Sequence, residues 1–581
     1  MNEKHMSLDS VCKQQQTSRP RHWIIIALVS FCVFLLFSSR STILPTLNHS
    51  RSLKYPGENI QWSPCGDLKG NPLECSSINV PMDQFNPENS PCKTFTIPLI
   101  RMRGSNATKN ILLNPGGPGG GGFDLLYRRG DLLKTIIGDG FHLLSFDPRG
   151  VNSSTPMASC YPNKNTRQEL SRVRSLNPQL DNSEIYAWAQ NFVKACSDTM
   201  GEHATYLNTP QTASDMNSIL DALGQKDMIY WGFSYGSLLG QTYAAMYPER
   251  SKRIIIDGVV NQFEWYEGLF EAQAFADTDK VLDGFFDECI KTGPRNCPLA
   301  SLAPSSKTDL RDTVLLFTQT LQDQPIPVYI NNSAFGLLDY SKVWYTGVLE
   351  SLYKPALWPS LASNLLALLQ DNATPAFLAY GITDLRTAWG HEANEFITLN
   401  DGLAGPTHWP QDRQSLVDKI TPLLNNSLFG PAHNRLYYIR QQWRIPMTHT
   451  YRPRRNVQTR HPLLILSTTY DPVTPLRAAR DANHAFDGSR IVEVNGYGHC
   501  SVAVPSLCIV RYVRGYLYEG RLPENYAYCD VDSPYFPQGV DVDWVFGQRV
   551  VGDSDSDEKR VHMAQLELAR EWEWEFTGPR V

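Results

Sequence analysis

Short apolar runs closed by turn residues recur along the chain from Thr94 onward. Thr94–Met102 alternates into an apolar strand, Asn110–Leu113 and Phe141–Phe146 are briefer runs, and Met228–Trp231 and Arg253–Ile256 follow at similar intervals. Met216, Ile219, Leu220 and Leu223 fall at helical spacing, and Leu238–Met246 reads as a second helix directly after Ser234. Short buried strands separated by helices predict a parallel sheet covered on both faces.

The repeat then stops. Residues 262–455 carry helical patterns and many tryptophans, among them Trp265, Trp344, Trp358, Trp389, Trp409 and Trp443. Strand-like Leu463–Ser467 and Arg490–Val494 resume the sheet afterwards. This predicts an α/β core formed by residues 91–261 and 456–535, with a helical cap inserted between them. A separate second domain is the competing reading, but it would leave the first sheet without its last strands. Pro/Asn/Ser-rich residues 40–90 read as linker and irregular structure. Residues 536–581, with Asp553, Asp555, Asp557 and Glu558, read as a polar tail ending in a short amphipathic helix, solvated or loosely docked.

One stretch departs from the globular pattern. Trp23–Phe37 carries no charge, and as a helix it reaches about 22 Å, short of a bilayer core unless its flanks help. Residues 23–39 are expected to be a signal-anchor behind a cytosolic tail of residues 1–22, since that tail is long for a signal peptide and no Ala-x-Ala site precedes Arg40. A cleaved signal peptide is the alternative. Sequons at Asn48, Asn106, Asn152, Asn331, Asn372 and Asn425 all follow this segment. So do ten of the twelve cysteines, with close spacings such as Cys65/Cys75, Cys289/Cys297 and Cys500/Cys508. Both features point to a lumenal, extracellular or secreted body in an oxidising compartment; buried free thiols are the alternative for the cysteines. A net charge of −6, with no basic run, argues against nucleic acid as a partner. No Cys/His spacing resembles a zinc site, so neither metal nor cofactor is expected.

The candidate chemistry begins at Gly232-Phe233-Ser234-Tyr235-Gly236, between an apolar strand and a helix. There a serine is held strained at the apex of a sharp turn, and glycines are needed on either side. The serine needs a base, and His499 in Gly498-His499-Cys500 lies just past a late strand. Leu463–Tyr470 ends in Asp471-Pro472-Val473-Thr474-Pro475, which makes Asp471 the orienting acid. Asp257, at the end of the strand after the elbow helix, is the alternative acid. Asn114-Pro115-Gly116-Gly117-Pro118-Gly119-Gly120 directly follows a strand; its Gly117 amide region and the Tyr235 amide are expected to form the oxyanion hole. A phosphate-cradling loop is the other reading, but the Gly-Lys-Ser/Thr ending is missing.

Together, Asn114–Gly119, Asp147-Pro148-Arg149-Gly150, the Ser234 elbow, Asp471–Pro475 and Gly498-His499 resemble the prolyl and tripeptidyl aminopeptidase-like branch of the α/β-hydrolases. Thr209-Pro210 with Asp215, Asp257-Gly258-Val259 and Cys289…Cys297-Pro298-Leu299 extend the resemblance over roughly residues 60–530. It implies an α/β-hydrolase fold, a mostly parallel central sheet with an inserted helical cap, and a Ser-His-Asp acyl-enzyme mechanism. It also implies release of N-terminal residues or short peptides. Family members usually carry Cys-x-Asp and Cys-x-x-Trp motifs in the cap; here Leu399-Asn400-Asp401 and Arg440-Gln441-Gln442-Trp443 stand in their place, which implies a looser or reshaped cap. In related prolyl aminopeptidases cap carboxylates bind the substrate's α-amine, which makes Glu264, Glu267 and Glu271 candidates; helical spacing places them equally well on a solvated face.

The expected partner is therefore a peptide or a small ester or amide substrate. An esterase or lactonase acting on a small molecule is the alternative, and a non-catalytic adhesion or binding protein on the same fold is a remote one.

Overall fold

The computed structural model describes residues 53–303, 306–382, 392–537 and 556–572. The expected signal-anchor, residues 23–39, lies outside them, and so does Asn48. Among the described residues no helix is long and apolar enough to cross a membrane.

An eleven-stranded sheet forms the centre, in the order β1-β2-β3-β4-β6-β5-β7-β8-β11-β12-β13. Strands β1 (Leu53–Lys54), β2 (Gln61–Leu68), β3 (Asn71–Pro81) and β4 (Thr94–Met102) run antiparallel into β6 (His142–Phe146). From β6 onward β5 (Asn110–Asn114), β7 (Met228–Phe233), β8 (Ser251–Asp257), β11 (Leu464–Tyr470), β12 (Arg490–Tyr497) and β13 (Ala527–Asp530) are parallel. Strands β5, β6 and β7 are buried along their whole length, which explains their unbroken apolar runs. Alternate residues feed opposite cores: Leu112, Leu144, Tyr230 and Ile256 enter one cluster, and Leu113, Leu143, Trp231 and Phe233 the other.

Of the stretch expected to be linker, the described residues 53–90 are not irregular but form strands. β2 and β3 extend the sheet through a hairpin locked by Cys65–Cys75. Polar residues dominate these strands because one face meets solvent, and that hid them in the sequence. The expected amphipathic helix of the C-terminal segment is present, but it is docked rather than solvated. Helix Asp557–Glu571 buries Val561, Ala564 and Leu568 against the second core, and Trp572 follows it into the interior.

The inserted region is helical as expected, apart from a small hairpin of β9 (Ile326–Asn331) and β10 (Ala334–Leu338). It has two parts. Residues from Ala274 to Tyr380 build a core of their own around Phe285, Trp344 and Trp358. Between Ala393 and Ile445, Phe396, Leu399, Tyr437 and Trp443 instead join the sheet's first core, while Phe429 and Ala432 stay with the cap core. A helical excursion after β6, held by Cys160–Cys196, packs on this second part. Arg167 pairs with Glu392 at 2.6 Å, and Asn434 donates to the Ser175 carbonyl at 2.7 Å. The cap is thus anchored from two places in the sequence.

Cys289–Cys297 and Cys508–Cys529 are also bridged, and Cys92 is disulfide-bonded. Cys500 does not pair with nearby Cys508 but is a buried free thiol. So many disulfides fit an extracellular or secreted body.

Candidate active site

Ser234 stands between β7 and helix Tyr235–Met246 with φ 56° and ψ −123°, a conformation that costs a non-glycine residue free energy. Close packing on both sides holds it there. A Cβ on Gly232 would lie 2.3 Å from the Gly236 carbonyl oxygen, and one on Gly236 would lie 2.8 Å from that of Asn114. The Ser234 amide donates to the Asp257 carbonyl at 2.9 Å, tying the apex to β8.

His499 follows β12, and Asp471 follows β11. Both are buried, and His499 Nδ1 lies 2.9 Å from each carboxylate oxygen of Asp471. Asp471 is oriented in turn by the amides of Val473, Thr474 and Cys500, at 3.0, 2.8 and 2.9 Å. A proton on Nδ1 facing this carboxylate leaves Nε2 as the basic nitrogen. The ring's height is fixed from the cap: the His499 amide donates to the Tyr353 carbonyl at 3.0 Å, and the Tyr353 ring meets the imidazole edge-on at 5.1 Å.

Asp257 is occupied elsewhere. Its carboxylate accepts from the Ser501 amide at 2.7 Å, the Ser501 hydroxyl at 2.6 Å and Trp231 Nε1 at 3.3 Å. Burial pushes its carboxyl up to about 6. The Cys500 thiol lies 3.9 Å from both His499 ring nitrogens, so Asp471, His499 and Cys500 sit close enough to offer ligand atoms to a metal. Their chemistry points another way. Burial raises the thiol and keeps it neutral, and Asp471 is already saturated with donors.

The Gly-rich loop folds against the elbow. Gly116 has φ +104°, and a Cβ there would lie 2.5 Å from the Phe233 carbonyl oxygen and 2.9 Å from Ser234 Cβ. Asn114 Oδ1 accepts from the Gly116 amide at 3.0 Å and shapes the turn. Gly117, Ser234, Tyr235 and His499 line one cavity. The Asp-Pro-Arg-Gly turn stands behind this loop. The Asp147 carboxylate accepts from the amides of Phe123 and Ser153, and buried Arg149 forks onto Asp215 at 2.7 and 2.6 Å.

The three cap glutamates separate. Glu267 is exposed. Glu264 is half-buried and pairs with Arg477 at 3.2 Å. Glu271 is buried, lines the cavity and pairs through Oε1 with Arg440, while Oε2 has no hydrogen-bond partner among the described residues. Tyr353, Asn394, Thr398 and His433 also line the cavity and were not foreseen. Arg440 and Asp401 carry a faint signal, since both lie in the stretches that depart from the family's cysteine motifs. His433 carries none.

Residues 109–292 match the family model described as alpha/beta hydrolase fold, and residues 427–529 match the one described as TAP-like protein. Serine protease Hip1 of Mycobacterium tuberculosis is 28% identical over 506 residues, covering 81% of this chain and 91% of that one. Tripeptidyl aminopeptidase of Streptomyces coelicolor is 29% identical over 488 residues, covering 79% and 84%. Carboxylesterase B of Mycobacterium tuberculosis is 26% identical over 495 residues, covering 81% and 89%. These matches support a TAP-like α/β-hydrolase.

Proposed function

We propose that this serine hydrolase is an exopeptidase working through an acyl-enzyme. Ser234 attacks the scissile carbonyl. His499 accepts its proton at Nε2 and passes it to the leaving amine, while Asp471 holds the imidazole. The Gly117 and Tyr235 amides receive the developing oxyanion.

The observation that carries the peptidase reading is Glu271 Oε2, a buried carboxylate oxygen with no hydrogen-bond partner among the described residues, on the wall of the cavity that holds Ser234. A desolvated carboxylate favours a cation strongly, and the charged N-terminus of a peptide supplies one. Serine protease and tripeptidyl aminopeptidase among the relatives' names support the same class. Glu264 and Glu267 have no comparable support, since one is committed to Arg477 and the other faces solvent.

The test is turnover of a tripeptide p-nitroanilide against its N-acetylated form. The peptidase reading requires the free-amine substrate to be preferred at least tenfold, and that preference to collapse in Glu271→Gln. Equal turnover of both, or preference for simple aryl esters, would favour the esterase reading that the carboxylesterase relative represents. The enzyme body is proposed to lie outside the cytosol, tethered by residues 23–39 where these are retained.

A further inference from the structure

We propose that Asp401, Thr209 and the Tyr235 hydroxyl form a positioning relay through which cap helix Ala393–Asp401 holds the oxyanion hole in shape. The proposal rests on the catalytic reading of Ser234 and Tyr235 given above.

Asp401 is the last residue of that helix and is fully buried. Its carboxylate accepts from the Thr209 amide at 2.7 Å, the Thr209 hydroxyl at 2.5 Å and Trp265 Nε1 at 2.9 Å. The Thr209 hydroxyl has a single hydrogen, and the carboxylate takes it. The Tyr235 hydroxyl, 2.6 Å from Thr209 Oγ1, must then be the donor to that oxygen. The direction of every bond in the chain is therefore set by the acceptor oxygens of Asp401, and the chain ends on the ring of the residue that follows Ser234. Such a chain strengthens its own members where, as here, Thr209, Tyr235 and Asp401 are all buried.

The helix's first turn reaches the other half of the hole. Asn394 Nδ2 donates to the Pro118 carbonyl at 3.2 Å, one residue beyond Gly117. One rigid helix, spanning about 10 Å between these residues, thus fastens both the Gly-rich loop and the elbow. Its Thr398 and Asn394 face the cavity between them. Trp265 completes the arrangement: its ring packs on Tyr235 at 5.8 Å while its Nε1 donates to Asp401. Elbow, core helix Thr209–Ala222 and two cap helices converge on a single carboxylate. Preorganised donors lose effect when displaced by fractions of an ångström, so the relay should act on the chemical step.

The relay is tested with Thr209→Val, Tyr235→Phe, their double variant and Thr209→Ser in the otherwise intact protein. Each is measured for its rate of labelling by a fluorophosphonate and for kcat and KM on a small aryl acetate, which has no amine for Glu271 to read. Loss of the hydroxyl in Thr209→Val or Tyr235→Phe should slow labelling and lower kcat about tenfold or more, with KM changed less than about threefold. The double variant should be no slower than the worse single one, because both break the same chain. Thr209→Ser, which keeps the hydroxyl, should restore the rate to within about threefold. Labelling and kcat at the wild-type level in Tyr235→Phe, which loses only one oxygen, would overturn the relay. So would a Thr209→Ser as slow as Thr209→Val, or a loss confined to KM. Failure of the wild-type protein to label at all would instead sink the catalytic reading itself.

Discussion

Arg440 Nη2 pairs with Glu271 Oε1 inside the cap, where both side chains are almost wholly buried. A buried pair of this kind is weak as a source of stability, but it is costly to break from one side. Arg440→Met should leave the Glu271 charge uncompensated and cost about 3 kcal/mol or more, read as a fall in unfolding midpoint. Glu271→Gln should leave turnover of an amine-free ester within about threefold of wild type while raising KM for a free-amine peptide at least tenfold. If both substrates suffer alike, Glu271 shapes the cap and does not read the amine.

Asp257 gives a pH signature with a defined sign. Burial raises its carboxyl from 3.8 to about 6. Below the lower value both folded and unfolded chains hold the proton. Between the two, the unfolded chain releases it while the folded one keeps it, so this group's contribution destabilises the fold progressively as pH rises and levels off above about 6. The full effect is on the order of 3 kcal/mol. Asp257→Asn removes that titration. Its unfolding midpoint relative to wild type should therefore improve between about pH 4 and pH 6.5. A constant offset across that range would contradict the assignment.

Asn106, Asn331, Asn372 and Asn425 are exposed, whereas Asn152 is half-buried with φ 48° beside Gly121 in the turn behind the Gly-rich loop. Expression in a glycosylating secretory host should give glycans at the four exposed sites and leave Asn152 bare, as checked by glycopeptide mass spectrometry. A glycan at Asn152 would require that turn to open.

Trp572 packs edge-on against Phe233 at 4.7 Å, directly before Ser234. Trp572→Ala should cost about 3 to 5 kcal/mol of stability and slow labelling of Ser234 as the strand behind it loosens. Unchanged stability would return the C-terminal segment to the status of a solvated tail.

Sequence exposed the parts of the site whose chemistry is local. The elbow is legible because strand, glycines and helix adjoin within a few residues, and His499 and Asp471 each follow a strand that announces itself. Strands β2 and β3 were hidden because a half-solvated antiparallel edge carries polar residues that imitate a loop. The C-terminal helix was legible as amphipathic, but the acidic residues around Val561, Ala564 and Leu568 hid the docking of its apolar face on the core. Glu271–Arg440 and Thr209–Asp401 join residues 169 and 192 positions apart. Nothing in the local pattern of either partner marks the other.

Labelling by a fluorophosphonate tests the central claim most directly, with the wild-type protein compared against Ser234→Ala, His499→Ala and Asp471→Asn. Covalent modification of the wild type at Ser234, none in Ser234→Ala, and rates reduced at least a hundredfold in the other two are predicted. Labelling that persists in Ser234→Ala, or that is indifferent to His499, would contradict the account.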